Sequence, residues 1–270
     1  MKLDLKLTRD ILVNFIKLET EKIGLENIVI GLSGGIDSAV SAALASLAMD
    51  NKKVYAYGLP YKTSSIESIE DAKMVADSLG INFEVIDITS FVDKYCELDS
   101  GISRLRKGNI MARMRMTVIF DKSSLKNALV LGTSNKTELL LGYGTWHGDM
   151  ASSINPIGDL YKTQLWELAG FLGIPEKIIK KEPTADLWVG QTDEQELGYS
   201  YTEIDKLLFA MVDERRDEKE LLGMGFTEDI IKKIANRIKK TQFKRQLPII
   251  AKISLRTIDK DFRYCRDWGY

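Results

Sequence analysis

The sequence predicts an α/β fold in which a doubly wound parallel sheet is completed by C-terminal helices. Three observations predict it. Four short apolar runs rich in Val, Ile, Leu and Tyr are spaced along the first half of the chain, and helical patterns separate them, the order that builds a parallel sheet covered on both faces. The first run opens into "SGGIDS" at 33–38 and then an Ala-rich helix. Beyond residue ~160 strand patterns stop and helical ones continue.

In chain order, apolar residues at 11, 12, 15, 16 and 18 make 11–21 an amphipathic helix. The runs "NIVIGLS" (27–33), "KVYAYGLP" (53–60), "NFEVIDI" (82–88) and "NALVLGTS" (127–134) read as strands. Between them lie "SAVSAALASLAM", "SIEDAKMVADSLG" and "GNIMARMRMTVIFDKSS", all of helical period. "YKTQLWELAGFLG" (161–173) is a further helix, and 174–198, with two prolines and many polar residues, is a long irregular connection of the kind that carries function. "SYTEIDKLLFAMV" and "TEDIIKKIANRIKKTQF" close the pattern, with Thr227 as N-cap and Ile230, Ile231, Ile234 and Ile238 on one face. "DERRDEKE" (213–220) reads as a solvated helix end, and the aromatic tail "DFRYCRDWGY" is expected to pack against something.

Composition narrows the function classes. With 44% hydrophobic and 29% charged residues the 270-residue chain is of ordinary globular make-up. Its formal charge of −1 carries no nucleic-acid signal. The basic stretch at 232–245 reads as a helix face or a nucleotide-phosphate contact. No run reaches the ~20 apolar residues of a membrane span, and "MKLDLKLTRDILVNF" has no signal-peptide core, so a mature cytoplasmic protein is expected. Cys96 and Cys265 have no partner at ligand spacing and read as reduced thiols. His147 is the sole histidine, which excludes a multi-His metal site and leaves any Ser-His-Asp hydrolase dependent on one residue.

The chemistry begins at the carboxyl ends of the predicted strands, where such sheets bind ligands. Gly34 and Gly35 let backbone amides approach phosphate oxygens, the following helix start adds its dipole, and Ser33 and Ser38 add hydroxyls. The lysine of the common phosphate loop is missing. Asp37 stands beside the phosphates instead, an arrangement that is repulsive unless the carboxylate holds Mg²⁺. "GTSNKTE" after the fourth strand lies at the same end of the sheet.

"SGGIDS" resembles the pyrophosphate loop of the N-type ATP pyrophosphatases, which have the Rossmann-like adenine-nucleotide alpha hydrolase fold and cleave ATP between its α- and β-phosphates. Among these, "KGNIMARMRMTVIFD" (107–121), "LVLGTSNKTELLLGYGT" (129–145), "INPIGDLYKTQLWELA" (154–169), "PTADLWVGQTDEQELGYSYTEID" (183–205) and "FKRQLP" (243–248) together resemble the NAD synthetase pattern over nearly the whole chain. The resemblance implies one ATP-pyrophosphatase domain over 1–270 with no glutaminase domain, hence a short form using free ammonia. It implies ligase activity in NAD biosynthesis, with ATP as co-substrate: the nicotinate carboxylate of deamido-NAD is adenylated, then amidated by ammonia, giving NAD, AMP and pyrophosphate. Carried over by position, Gly31, Leu32, Ser33, Gly34, Gly35, Ile36, Asp37, Ser38, Thr133, Lys162 and Thr184 would bind ATP. Asp37 and Glu138 would hold Mg²⁺, and Lys162 would stabilise the departing pyrophosphate. Asp149 would face the reacting carboxylate and take the proton from ammonium. Arg113 and Lys244 would meet the dinucleotide, and a homodimer would form through the 108–120 helix, with no nucleic-acid or membrane partner.

Three positions depart from the family pattern. Trp146 in "TWHGD" replaces a lysine, Ser153 replaces an aspartate, and Phe243 replaces a histidine. All three fall on the acyl-substrate side, so an alternative is a paralogue that adenylates and amidates a different carboxylate. Trp146 and Phe243 retain rings able to stack on a pyridinium.

Overall fold

The computed structural model describes residues 2–184, 188, 190 and 192–258, which leaves the aromatic tail outside the described residues. Helix α1 (Leu5–Lys22) begins where the Asp4 side chain accepts the Leu7 N–H. It starts six residues earlier than the apolar period of 11–21 alone indicates. Four strands follow, interleaved with helices: β1 (Asn27–Gly31), α2 (Ile36–Ala48), β2 (Val54–Gly58), α3 (Ile66–Leu79), β3 (Asn82–Val85), α4 (Thr89–Cys96), α5 (Arg104–Lys126) and β4 (Ala128–Leu131). Each lies within its expected apolar run.

All pairings are parallel, in the order β3-β2-β1-β4. Ile28 stands between Val54 of β2 and Leu129 of β4. The chain turns one way from β1 to reach β2 and the other way to reach β4. The gap between the ends of β1 and β4 is therefore the switch point at which such sheets open a binding crevice. An isolated parallel bridge between Leu131 and Ile154 lengthens that edge.

The second half is helical: α6 (Lys136–Leu141), α7 (Lys162–Phe171), α8 (Glu176–Lys180), α9 (Asp193–Leu197), α10 (Tyr201–Leu208), α11 (Glu218–Gly223) and α12 (Glu228–Lys240). Thr227 caps α12 as expected, accepting from Ile230 N–H. The 213–220 run differs from its reading as one helix end. A π-turn closes at Asp213, and Asp217 caps the new helix α11.

Three apolar clusters hold these layers. One face of the sheet packs Ile28, Ile30 and Val54 against α1, α2 and α7, and the other packs Val29 and Val130 against α4 and α5. The third joins Leu141 of α6 to α10 and α12 through Tyr201, Ile204, Leu207, Ile231 and Ile234. Among the described residues no helix is long and apolar enough to cross a membrane.

Candidate active site

A cleft of about 600 Å³ opens at the carboxyl ends of β1 and β4. Its floor is the glycine loop. Ser38 Oγ donates to the Gly35 carbonyl at 3.0 Å and accepts from Ser33 N–H at 3.2 Å, and Gly35 N–H donates to Ser33 Oγ at 3.2 Å. Gly34 has φ +79°, and a Cβ there would lie 2.3 Å from the Ser68 carbonyl oxygen of α3. Glycine is thus demanded twice, by the left-handed backbone and by the close approach. No side chain caps α2 after Gly35, so the helix start presents amides and a positive dipole end to an anion.

One cation and two carboxylates converge above this loop. Lys162, at the first position of α7, is 2% exposed, with Nζ 2.5 Å from Asp37 Oδ2 and 3.9 Å from Glu138 Oε1. Burial works to lower its pKa, but Asp37 and Glu138 outweigh burial and hold the ammonium above its ordinary value. Burial, followed by the repulsion of Asp37, pushes the Glu138 carboxyl well up. Glu138 also completes a capping box: Asn135 Oδ1 accepts the Glu138 N–H at 2.9 Å, and Glu138 Oε2 accepts the Asn135 N–H at 3.2 Å. Among the described residues no set of three or more His, Cys, Asp or Glu is placed to hold a metal by itself.

The cleft brings together most of the residues expected from sequence. Gly31, Leu32, Ser33, Gly35, Ile36, Asp37, Ser38, Thr133, Glu138, Asp149, Lys162, Thr184 and Lys244 line it, while Gly34 forms the turn pressed against α3. Asp149 is exposed at the cleft and accepts the Thr145 N–H at 2.7 Å. The enclosing walls push its carboxyl above the ordinary range. Lys244 spends two donors on the Gly142 and Gly144 carbonyls, at 2.8 and 2.7 Å.

Other expected residues lie elsewhere. Arg113, Trp146 and Phe243 meet beside the cleft: Arg113 Nη2 donates to the Trp146 carbonyl at 3.3 Å. The Trp146 indole stacks on His147 at 4.3 Å between ring centres and meets Phe243 edge-on at 5.4 Å. Ser153 Oγ accepts the Val130 N–H at 3.3 Å, a contact on the sheet edge.

Several site groups escaped sequence reasoning. Asp193, 4% exposed, accepts hydroxyls from Tyr143 and Tyr201, both at 3.0 Å, and lines the cleft. Asn135 Nδ2 donates to Asp37 Oδ1 at 2.8 Å. Arg115, which the sequence leaves open between a structural ion-pair partner and a ligand contact, lines the cleft and donates to the Leu59 carbonyl at 2.9 Å. The end of α6 is clasped from the C-terminal side. Arg237, Lys244 and Arg245 donate to carbonyls of Leu141, Gly142, Gly144, Leu139 and Leu140, supplying positive charge where a helix ends negative.

Residues 9–248 match the family model described as NAD synthase. The NH(3)-dependent NAD(+) synthetase of Trichlorobacter lovleyi is 53% identical over 269 residues, covering 100% of this chain and 98% of that protein. A solved NH3-dependent NAD synthetase from Campylobacter jejuni superposes with TM-score 0.81 at 35% identity, covering 93% of this chain and 100% of that one. An NMN synthetase from Francisella tularensis superposes with TM-score 0.83 at 32% identity, with the same coverage. With the cleft at the switch point and this match over most of its length, the chain belongs to the NAD synthase family.

Proposed function

We propose that this protein is an ammonia-dependent NAD synthetase, a ligase that adenylates the nicotinate carboxylate of deamido-NAD with ATP and amidates the adenylate with ammonia. The observation that carries the reading is Lys162 seated between Asp37 and Glu138 above the glycine loop. That arrangement suits a reaction whose leaving group is pyrophosphate.

The loop amides and the α2 terminus bind the polyphosphate, with Ser33 and Ser38 as hydroxyl donors. Lys162 offers a fixed ammonium to the charge that grows on the bridging oxygen as the substrate carboxylate attacks the α-phosphorus. Mg²⁺ fits the donor set: Asp37 and Glu138 supply hard carboxylate oxygens, and Glu138 is held protonation-prone by burial and by Asp37, a cost that a divalent cation relieves. Asp37 and Glu138 would hold the ion, which would supply positive charge for the departing pyrophosphate. Asp149, its carboxyl pushed above the ordinary range by burial, is the group placed to take the proton that ammonium must lose before nitrogen attacks the mixed anhydride. Thr133 and Thr184 line the nucleotide side of the cleft.

The Trp146–Phe243 pair, with Arg113 beside it, is the proposed seat of the pyridine nucleotide. A homodimer is proposed through α4 and α5, which expose Phe91, Tyr95, Leu105 and Phe120. The cytoplasm, where ATP is made available, is the proposed site of action.

The alternative acid is tested directly. Purified protein with ATP, Mg²⁺ and ammonium is given deamido-NAD, nicotinate mononucleotide or nicotinate, and amide, AMP and pyrophosphate are counted. Deamido-NAD should exceed the others in kcat/KM by at least about tenfold, the discrimination of about 1.4 kcal/mol. Preference for another acid, or release of ADP and phosphate, would overturn the proposal. Asp149→Asn should spare adenylate formation and slow amide formation.

A further inference from the structure

The two helices that carry the charged pair are joined at their starts by one buried acid from the C-terminal cluster. Asp205 of α10 is 0% exposed. Its Oδ1 accepts the Thr137 hydroxyl at 2.5 Å, and its Oδ2 accepts the Thr163 N–H at 2.8 Å. Thr137 Oγ1 in turn accepts the Lys162 N–H at 3.0 Å. Thr137 precedes Glu138 in α6, and Thr163 follows Lys162 in α7. A single carboxylate and a single hydroxyl therefore fix the backbone next to both Glu138 and Lys162.

The chemistry of these contacts selects an acid. Thr137 O–H and Thr163 N–H donate to the two different terminal atoms of residue 205, so both must be acceptors, as in a carboxylate and not in an amide. Burying a charge is costly unless it is hydrogen-bonded, and a local Ser or Thr would cap α7 more cheaply. The acid comes instead from a residue 68 positions from Thr137 and 42 from Thr163. What the costlier arrangement adds is register between two helices, and with it the spacing between Lys162 Nζ and the Glu138 carboxylate.

We propose that Asp205, acting through Thr137, is a positioning residue for the adenylation step: it sets the separation of Lys162 and Glu138 over the phosphate loop. The inference rests on the functional reading above.

Thr137→Val removes the hydroxyl at nearly constant volume, and Thr137→Ser keeps the hydroxyl and removes the methyl. With deamido-NAD, ATP and ammonium, Thr137→Val is expected to lower kcat for AMP formation about 10- to 100-fold, since small displacements at a reacting centre cost that much. KM for ATP should move less than about threefold, because the phosphate loop is untouched, and Thr137→Ser should restore kcat to within about threefold of wild type. Asp205→Asn is the second variant. It turns a donor toward one of two existing donors, and its kcat should fall with Thr137→Val. A Thr137→Val enzyme that turns over like wild type overturns the inference. So does a Thr137→Ser enzyme as slow as Thr137→Val, which would make the methyl packing the cause.

ATP-dependent pyrophosphate release with the other acids separates the two readings. A wild-type protein active on another carboxylate sinks the deamido-NAD assignment, while the Val/Ser contrast, measured on that acid, still decides the role of Asp205.

Discussion

Asn135 donates its side-chain amide to Asp37 at 2.8 Å, joining the helix after β4 to the loop after β1 across the switch point. The same side chain caps α6 by accepting the Glu138 N–H at 2.9 Å. Asn135→Ala should lose both. The cap contributes about 1 kcal/mol and the bond to a carboxylate acceptor about 1.5–3 kcal/mol, so urea unfolding should show a loss of about 2.5–4 kcal/mol. Asn135→Ser keeps the cap alone and should recover roughly the cap's share.

Glu138 should trade stability for function in a pH-dependent way. Its carboxyl is raised in the folded protein by burial and then by Asp37, from an ordinary 4.5. The folded state therefore holds the proton more tightly than the unfolded one. That contribution to stability is complete below about pH 4.5 and is lost as pH rises through the raised value. Glu138→Gln keeps the capping acceptor and removes the titration. Without nucleotide it should melt higher than wild type at pH 8, by ~2–4 °C for each kcal/mol relieved, with no advantage at pH 4, while pyrophosphate release collapses. A difference from wild type that is the same at both pH values would contradict the raised carboxyl.

Gly34→Ala tests the loop's seat on α3. The added Cβ would meet the Ser68 carbonyl oxygen at 2.3 Å in a backbone of φ +79°. Left-handed strain in a non-glycine residue costs about 1–2 kcal/mol before any clash, so the loop must move off α3. Calorimetric titration with ATP and Mg²⁺ should show affinity reduced at least about tenfold, with the far-UV spectrum unchanged.

Trp146→Ala should separate the two substrates. Its ring meets His147 and Phe243, not the phosphate loop. Stacking of aromatic rings contributes about 0.5–1.5 kcal/mol, so KM for deamido-NAD should rise about 3- to 10-fold while KM for ATP stays put. Initial-rate kinetics with each substrate varied in turn decide it.

The parts of this molecule legible in its sequence are those written locally. The glycine loop is legible because a left-handed glycine and the following helix start are adjacent in the chain. The four strands are legible because all but the exposed edge strand β3 bury most of their side chains. Helix α4 was not, since Val92 is its one buried residue and eight residues carry too little period to read. The site's supporting groups are long-range: Asn135 meets Asp37 at a separation of 98 residues and Lys162 meets it at 125. Asp193 lies in a stretch that reads as irregular, and only the fold brings Tyr143 and Tyr201 to it. Ser153 illustrates the opposite limit. Its departure from the family pattern is visible in the sequence, but its hydrogen bond from Val130 N–H at the sheet edge is not.

The clasp on α6 sets a timetable for the chain as it leaves the ribosome. Leu139 and Gly142 are synthesised about a hundred residues before the Arg245 and Lys244 that hold them. At roughly 5–20 residues per second the interval is about 5–20 s. Until then the carbonyls that end α6 lack the donors that hold them in the folded protein, so the cleft wall made by Gly142, Gly144 and Lys244 is complete only once this late segment has emerged.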